Sequence, residues 1–303
     1  MSRLRNAALF VYVALAWGGS FVAIKIGLTT VPDAPVFFAA LRLLVAAVVA
    51  LPVAAVLAGE GDRWIPRSRG DLAVVALGAL FVTGGANAFL FAGQGYVSSS
   101  VSSVLFSLNP VIATGLAAVV VPEDDLSAVQ AAGVLLGIVG VVVVAHPTPE
   151  ALANGGAVGE ALLVAAAVCV AVGSVGSQRY PASIDTVAST AWALLFGGVL
   201  LVAVAWLLGE PLSLAAAGTT FYAALAYLAV LATAGAYAAY FTLIADVGAA
   251  RTTLVSYFVP IVTAVVSVLF LAEPITPSLV GGFALICVGF LLANRRAVAR
   301  MLA

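Results

Sequence analysis

Apolar residues run for about twenty positions or more at a time along this chain, and polar residues collect in short gaps between the runs. Runs of that length fit helices that cross a membrane. Ten can be delimited, at about 7–28, 34–58, 71–92, 97–121, 127–145, 157–178, 186–208, 218–242, 247–271 and 278–294. A barrel would show short alternating segments in their place.

The pattern is written twice. Pro110 lies at the centre of the fourth run, Glu123 just past its end, and Gly133 and Gly140 space the fifth. Pro260 and Glu273 repeat this with an offset of 150 residues, and Gly282 and Gly289 follow at 149. The same offset carries Thr83 onto Thr233, Gly85 onto Gly235 and Phe91 onto Phe241. A self-similarity this long organises the whole chain. It divides the chain into a first five-helix repeat over 1–145, a linker over 146–156 and a second repeat over 157–303.

Composition supports the membrane reading. Of 303 residues, 64% are hydrophobic and 8% charged, against roughly 25% charged in soluble domains. No polar segment is long enough to build a soluble core. The formal net charge of −1 gives no basic patch for nucleic acid. Cys169 and Cys287 both lie inside apolar runs and read as small buried hydrophobes. The first run lacks a small-residue cleavage pattern and is expected to stay as a helix.

Orientation follows from the bases. Arg3, Arg5, Arg63, Arg67, Arg69, Arg179, Arg251, Arg295, Arg296 and Arg300 lie outside the runs or at their ends. All fall on one side if the N-terminus is cytoplasmic, and positive charge is retained on that side during insertion. Both termini are therefore expected inside. Five helices per repeat is odd, so the second repeat enters the membrane upside down. The expected fold is an all-α membrane protein of ten transmembrane helices in two inverted repeats. In such transporters the substrate site lies near the midplane, where the repeats meet.

Trp17-Gly18-Gly19-Ser20 in the first run, Leu41-Arg42 in the second, the paired prolines, Glu123 and Glu273, and the glycine-spaced fifth and tenth runs carry a family likeness. Together they resemble EamA-type members of the drug/metabolite transporter superfamily. The resemblance covers nearly the whole chain. It implies a small-molecule carrier working by alternating access, commonly a metabolite exporter, in the cytoplasmic (plasma) membrane of a prokaryote. Two features depart from the pattern: Pro122 stands before Glu123 where glycine is usual, and the sixth run lacks the tryptophan of the first.

The candidate binding residues are polar or aromatic groups within the runs or at their ends: Trp17, Arg42, Thr83, Asn87, Tyr96, Ser103, Tyr237 and Tyr257. Pro110 and Pro260 are candidate helix breaks, because a mid-helix proline leaves the carbonyl four residues earlier, on Phe106 and Ser256, without its donor. Helical spacing puts Tyr96, Ser100, Ser103, Ser107 and Thr114 on one stripe. Hydroxyl residues also serve close helix packing in lipid, so the stripe has a purely structural alternative. Asn87 and Tyr237 occupy equivalent positions and bring larger polar groups inward. Lys25 and Arg42 are the only bases inside runs. A base there marks a functional site by default, although Lys25 is also placed to snorkel and Arg42 to hold backbone carbonyls. Glu123 and Glu273 read as turn-fixing residues, His146 as interfacial, and Glu160 as favouring a helix N-terminus.

These residues suit a carrier of small organic metabolites, with export of neutral or zwitterionic solutes such as amino acids as the leading expectation. Efflux of hydrophobic toxic compounds and a non-catalytic channel are the alternatives. The pattern offers no nucleophile with a base and no metal cluster, so neither an enzyme nor a cofactor is expected. Expected partners are the substrate and the lipid bilayer, with a coupling proton left open and either a monomer or a homodimer.

The charge asymmetry generates a test in a background with Cys169 and Cys287 replaced by Ala. A cysteine placed between Gly59 and Gly70 should be shielded from an impermeant thiol reagent in intact cells, and one between Gly209 and Gly218 labelled. Equal labelling of both would remove the inverted arrangement.

Overall fold

The computed structural model describes residues 2–58, 64–120, 127–145, 155–213 and 217–295. Among these residues the regular structure is entirely helical. Helices suit the composition, because in hydrocarbon each backbone polar group needs a partner within the protein and a helix supplies it locally. The segments are α1 Arg3–Thr30, α2 Pro35–Leu57, α3 Arg69–Gln94, α4 Ser99–Ala118, α5 Ala128–Ala145, α6 Gly156–Ser177, α7 Thr186–Leu207, α8 Thr219–Val247, α9 Arg251–Leu271 and α10 Pro277–Ala293. The first nine have at least 18 residues and the composition of a membrane span; α10 has 17. Seventeen residues at about 1.5 Å each reach about 25 Å, slightly under a typical ~30 Å hydrocarbon core.

Local signals set the ends. Ser68 caps α3 in a reciprocal box with Asp71, Ser98 caps α4 by accepting from Val101 N at 3.2 Å, and Asp185 caps α7. Thr276 caps α10, whose first residue is Pro277. Each cap supplies a side-chain acceptor to amides that have no partner within the helix. Glu123 and His146 lie outside the described residues.

The packing follows the 150-residue offset. α2 packs on α7 and α5 on α10; α1 lies against α8 and α9, as α6 lies against α3 and α4; α8 meets α2 as α3 meets α7. Every one of these contacts joins the first five helices to the last five. The buried side chains, among them Ile24, Phe38, Leu43, Phe91, Leu105, Leu163, Leu201, Phe221 and Ile286, form one continuous core across both sets. Cys169 and Cys287 are free thiols.

The α5–α10 contact shows why its glycines are spaced as they are. A Cβ on Gly133 would stand 2.5 Å from the Gly289 carbonyl oxygen, one on Gly140 2.7 Å from that of Gly282, and one on Gly289 2.6 Å from that of Gly133. The obstacles are backbone, so nothing flexible can yield. Small residues let two backbones approach and gain dispersion contacts where lipid gives no hydrophobic drive. Gly289→Ala should force the helices apart at a cost of about 1–3 kcal/mol, lowering the melting temperature of the purified protein by several degrees. Gly281→Ala, which meets nothing within 4 Å, should leave it unchanged. A thermal melt of both variants checks this.

Candidate functional site between the two sets of helices

α3 and α8 are not uniform helices. Each widens into a π-helical stretch near its middle, Gly78–Gly85 in α3 and Tyr227–Gly235 in α8. In the first the Ala86 amide reaches back to Phe81 O, and in the second the Ala236 amide reaches Leu231 O, five residues in both cases. Thr233 Oγ1 donates to Leu228 O at 2.7 Å, again spanning five. Such insertions cluster at functional sites. The sequence carried their mark in Thr83-Gly84-Gly85-Ala86 and Thr233-Ala234-Gly235-Ala236, which hydrophobic periodicity does not register.

α1 supplies donors to the widened stretch of α8. Tyr12 Oη donates to Leu231 O at 2.9 Å and Trp17 Nε1 to Ala232 O at 3.1 Å. Tyr227 Oη returns a bond to Ala16 O at 3.0 Å, and Thr263 Oγ1 of α9 donates to Gly18 O at 2.9 Å. Gly18 and Gly19 are required by this approach, since a Cβ on either would collide with Val262 or Tyr227. Trp17 also lies against Tyr240 at 5.0 Å and Tyr237 at 5.8 Å between ring centroids.

Arg42, on α2, bonds the widened stretch of α8 directly and is linked to that of α3 through Asn87. Its Nε donates to Thr233 Oγ1 at 3.0 Å and its Nη1 to Asn87 Oδ1 at 3.3 Å, while Asn87 Nδ2 donates to Thr83 O at 2.8 Å. The guanidinium carbon lies 5.8 Å from the centre of the Phe91 ring. No carboxylate partners Arg42 among the described residues. The residue 150 positions later, Trp192, does something else: its Nε1 donates to Trp64 O at 2.7 Å and its ring stacks on Trp64.

The structure thus brings Trp17, Arg42, Asn87 and Tyr237 to the junction of α1, α2, α3 and α8, and leaves other candidates elsewhere. Thr83 is buried with its hydroxyl on Ala193 O of α7 at 2.7 Å, a packing contact. Ser103 is buried and donates within its own helix to Ser100 O. Tyr257 packs on Phe290 at 4.4 Å between centroids, and its buried hydroxyl has no partner among the described residues. Tyr96 is 55% exposed at the end of α3, lining two surface cavities of about 630 and 430 Å³. Glu160 lines the larger of these.

The prolines behave differently from each other. α4 is interrupted between Phe106 and Asn109, just before Pro110, and the Phe106 carbonyl that the proline leaves without a donor accepts from Asn109 Nδ2 at 2.9 Å. Pro260, by contrast, sits inside the unbroken stretch Val255–Leu271, and the irregular turn of α9 falls at Leu254. The expectation of a break at Pro260 is corrected accordingly: one missing amide is tolerated within a helix held on both sides.

Lys25 and Glu273 neither line the central cluster nor snorkel. Lys25 Nζ donates to Gln94 O and Val97 O at 2.9 Å each, at the C-terminal end of α3, where a cation complements the helix dipole. Glu273 accepts from Ser99 N at 2.9 Å and Ser100 N at 3.3 Å, so it fixes the start of α4 and not the turn into α10. Ser100 and Ser267 hydroxyls meet at 2.7 Å across α4 and α9. Glu210 grips the start of α2 in the same manner, through Val36 N and Phe37 N. At the opposite ends of the helices Arg5 pairs with Asp246, and Asp71 accepts from Ser183 N and Ile184 N at 2.7 and 2.9 Å.

Comparison with known proteins agrees with this architecture. A probable terminal-alkyne amino-acid exporter of Streptantibioticus cattleyicolor is 29% identical over 290 residues, covering 96% of this chain and 93% of its own. An uncharacterized transporter of Bacillus subtilis is 26% identical over 239 residues, covering 78% of this chain and 77% of its own. One crystal structure superposes with a TM-score of 0.62 at 22% identity, over 96% of this chain and 98% of that one, a likeness of fold. The model of the EamA-like transporter family matches twice, at residues 5–145 and 157–295. The chain is a multi-pass membrane protein and belongs to the EamA-like transporter family.

Proposed function

We propose that this protein is an alternating-access carrier that exports small organic metabolites, neutral or zwitterionic ones such as amino acids, across the cytoplasmic membrane of a prokaryote. In this reading all ten helices span, the two five-helix repeats are inverted, and both termini are cytoplasmic. The family resemblance supports the carrier class, and the exporter from Streptantibioticus cattleyicolor, by its printed name, supports amino acids. The observation that carries the reading is Arg42 with its neighbours. A cation with no carboxylate beside it among the described residues sits between the two widened helices, held by Thr233 from one set of five helices and Asn87 from the other. A charge at that depth is costly unless it is used.

Alternating access requires the two sets to separate at each end in turn. At one end the separation would break Ser100–Ser267, the Glu273 contacts to α4 and the Glu210 contacts to α2. At the other it would break Arg5–Asp246 and Asp71 with Ser183. These contacts are individually modest: about 0–1 kcal/mol for the surface ion pair, about 1 kcal/mol for a neutral hydrogen bond and about 1.5–3 kcal/mol where a carboxylate accepts. Such contacts can close an end without locking it.

Two measurements in proteoliposomes test the reading. With Cys169 and Cys287 replaced, Ser100→Cys combined with Ser267→Cys should form a disulfide, since the hydroxyl oxygens already stand 2.7 Å apart. The oxidised protein should lose saturable amino-acid flux and regain it on reduction; undiminished flux with the disulfide formed rules out movement at this contact. Asn87→Leu should reduce flux at least about tenfold, the loss expected when a hydrogen bond to a charged group is removed, while folded protein remains in the membrane. Unsaturable flux in the unmodified protein would point to a channel.

A further inference from the structure

Two N–H groups of Arg42 are committed to the protein, Nε to Thr233 and one Nη1 hydrogen to Asn87. The Nη2 amine and the other Nη1 hydrogen have no acceptor among the described residues. Both acceptors are themselves fixed. Thr233 spends its own hydrogen on Leu228 O, and Asn87 spends Nδ2 on Thr83 O. The guanidinium is therefore held from the carbonyls of both widened helices, with Phe91 on one face and Tyr227 and Tyr237 within electrostatic range.

From this geometry we infer that Thr233 and Asn87 are positioning residues that leave Nη2 and one Nη1 hydrogen of Arg42 unspent, and that these donors select a monocarboxylate with an apolar or aromatic body. The inference rests on the carrier reading for its location and adds the recognised group. A carboxylate matches the planar N–H pair and neutralises the single charge. A phosphate dianion brings two charges to one cation and leaves an uncompensated negative charge in a partly buried site, which desolvation disfavours. Among the described residues no carboxylate stands beside Arg42 to hold an ammonium group, so the amine of an amino acid is not needed for binding at this point. The half-buried rings beside the cluster, Trp17 and Tyr237, supply the surface for an apolar body.

The test is binding and not flux, on the purified full-length protein. Four probes are compared by equilibrium dialysis: 3-phenylpropionate, L-phenylalanine, phenethylamine and inorganic phosphate. The two acids should bind saturably, and phenethylamine and phosphate about 10- to 100-fold more weakly, the loss expected when a charge-assisted contact is missing. Amine or phosphate binding equal to that of 3-phenylpropionate overturns the inference. So does the absence of saturable binding of either acid up to about 10 mM, weaker than millimolar contacts of this kind.

Thr233→Val keeps the side-chain shape and frees Nε. It should weaken 3-phenylpropionate binding about 3- to 10-fold and narrow its preference over phosphate, and Thr233→Ser should restore both. A purely structural role would lower both affinities together and leave their ratio unchanged, and that result overturns the positioning role. The analogue series on the unmodified protein needs no variant to fold. Saturable acid binding without any flux would retain this inference and remove the carrier; flux of solutes lacking a carboxylate, with no acid preference in binding, would do the reverse.

Discussion

A backbone carbonyl in hydrocarbon needs a donor, and the interior of this protein is arranged around that need. Irregular helices are where the demand arises, and at several of them a side chain meets it. Trp17 and Tyr12 donate to carbonyls of the widened part of α8, Asn109 to the carbonyl that Pro110 leaves without a donor, and Lys25 to the end of α3. The same bonds that satisfy the backbone also fix which helices are neighbours. Trp17 ties α1 to α8 as well as supplying a donor, so an apolar aromatic at that place would fill the space and leave the carbonyl unserved.

The interlocked packing follows from the same economy of contacts. Lipid gives little hydrophobic drive for one helix to leave it for another, so close approach at glycines and interhelical hydrogen bonds hold the assembly. α5 and α10 use the first means almost alone, with backbone against backbone at Gly133, Gly140, Gly282 and Gly289. α1, α2, α3 and α8 use the second.

The repeat is faithful in backbone and unfaithful in chemistry. Both copies keep the widened helix and its threonine, yet Arg42 on one side faces Trp192 on the other, and Trp17 corresponds to Ala167. Thr233 consequently receives the guanidinium, while Thr83 turns its hydroxyl to Ala193 O. Duplication supplied the shared scaffold, and single residues then gave one side of the junction a charge that the other lacks.

The sequence by itself determined the class, the helices and the repeat, because twenty-residue apolar runs, an offset of 150 and glycine spacing are properties of the chain read in one dimension. It also singled out Arg42 and Asn87 as large polar groups among apolar neighbours, without indicating that they touch. Tertiary structure alone decided the partners. Tyr96 and Ser103 share a helical stripe with serines around Pro110, but one ends at the surface and the other bonds its own helix. Lys25 lies near the end of its run, where a binding or a snorkelling role fits the pattern equally, and only the end of α3 brought beside it shows that its charge serves carbonyls. Glu273 likewise fixes a helix 174 positions away in sequence. The physical reason is common to all of these. Periodicity reports which face of a helix a residue occupies, whereas the worth of a polar group in lipid depends on the atom opposite it, and that atom belongs to another helix.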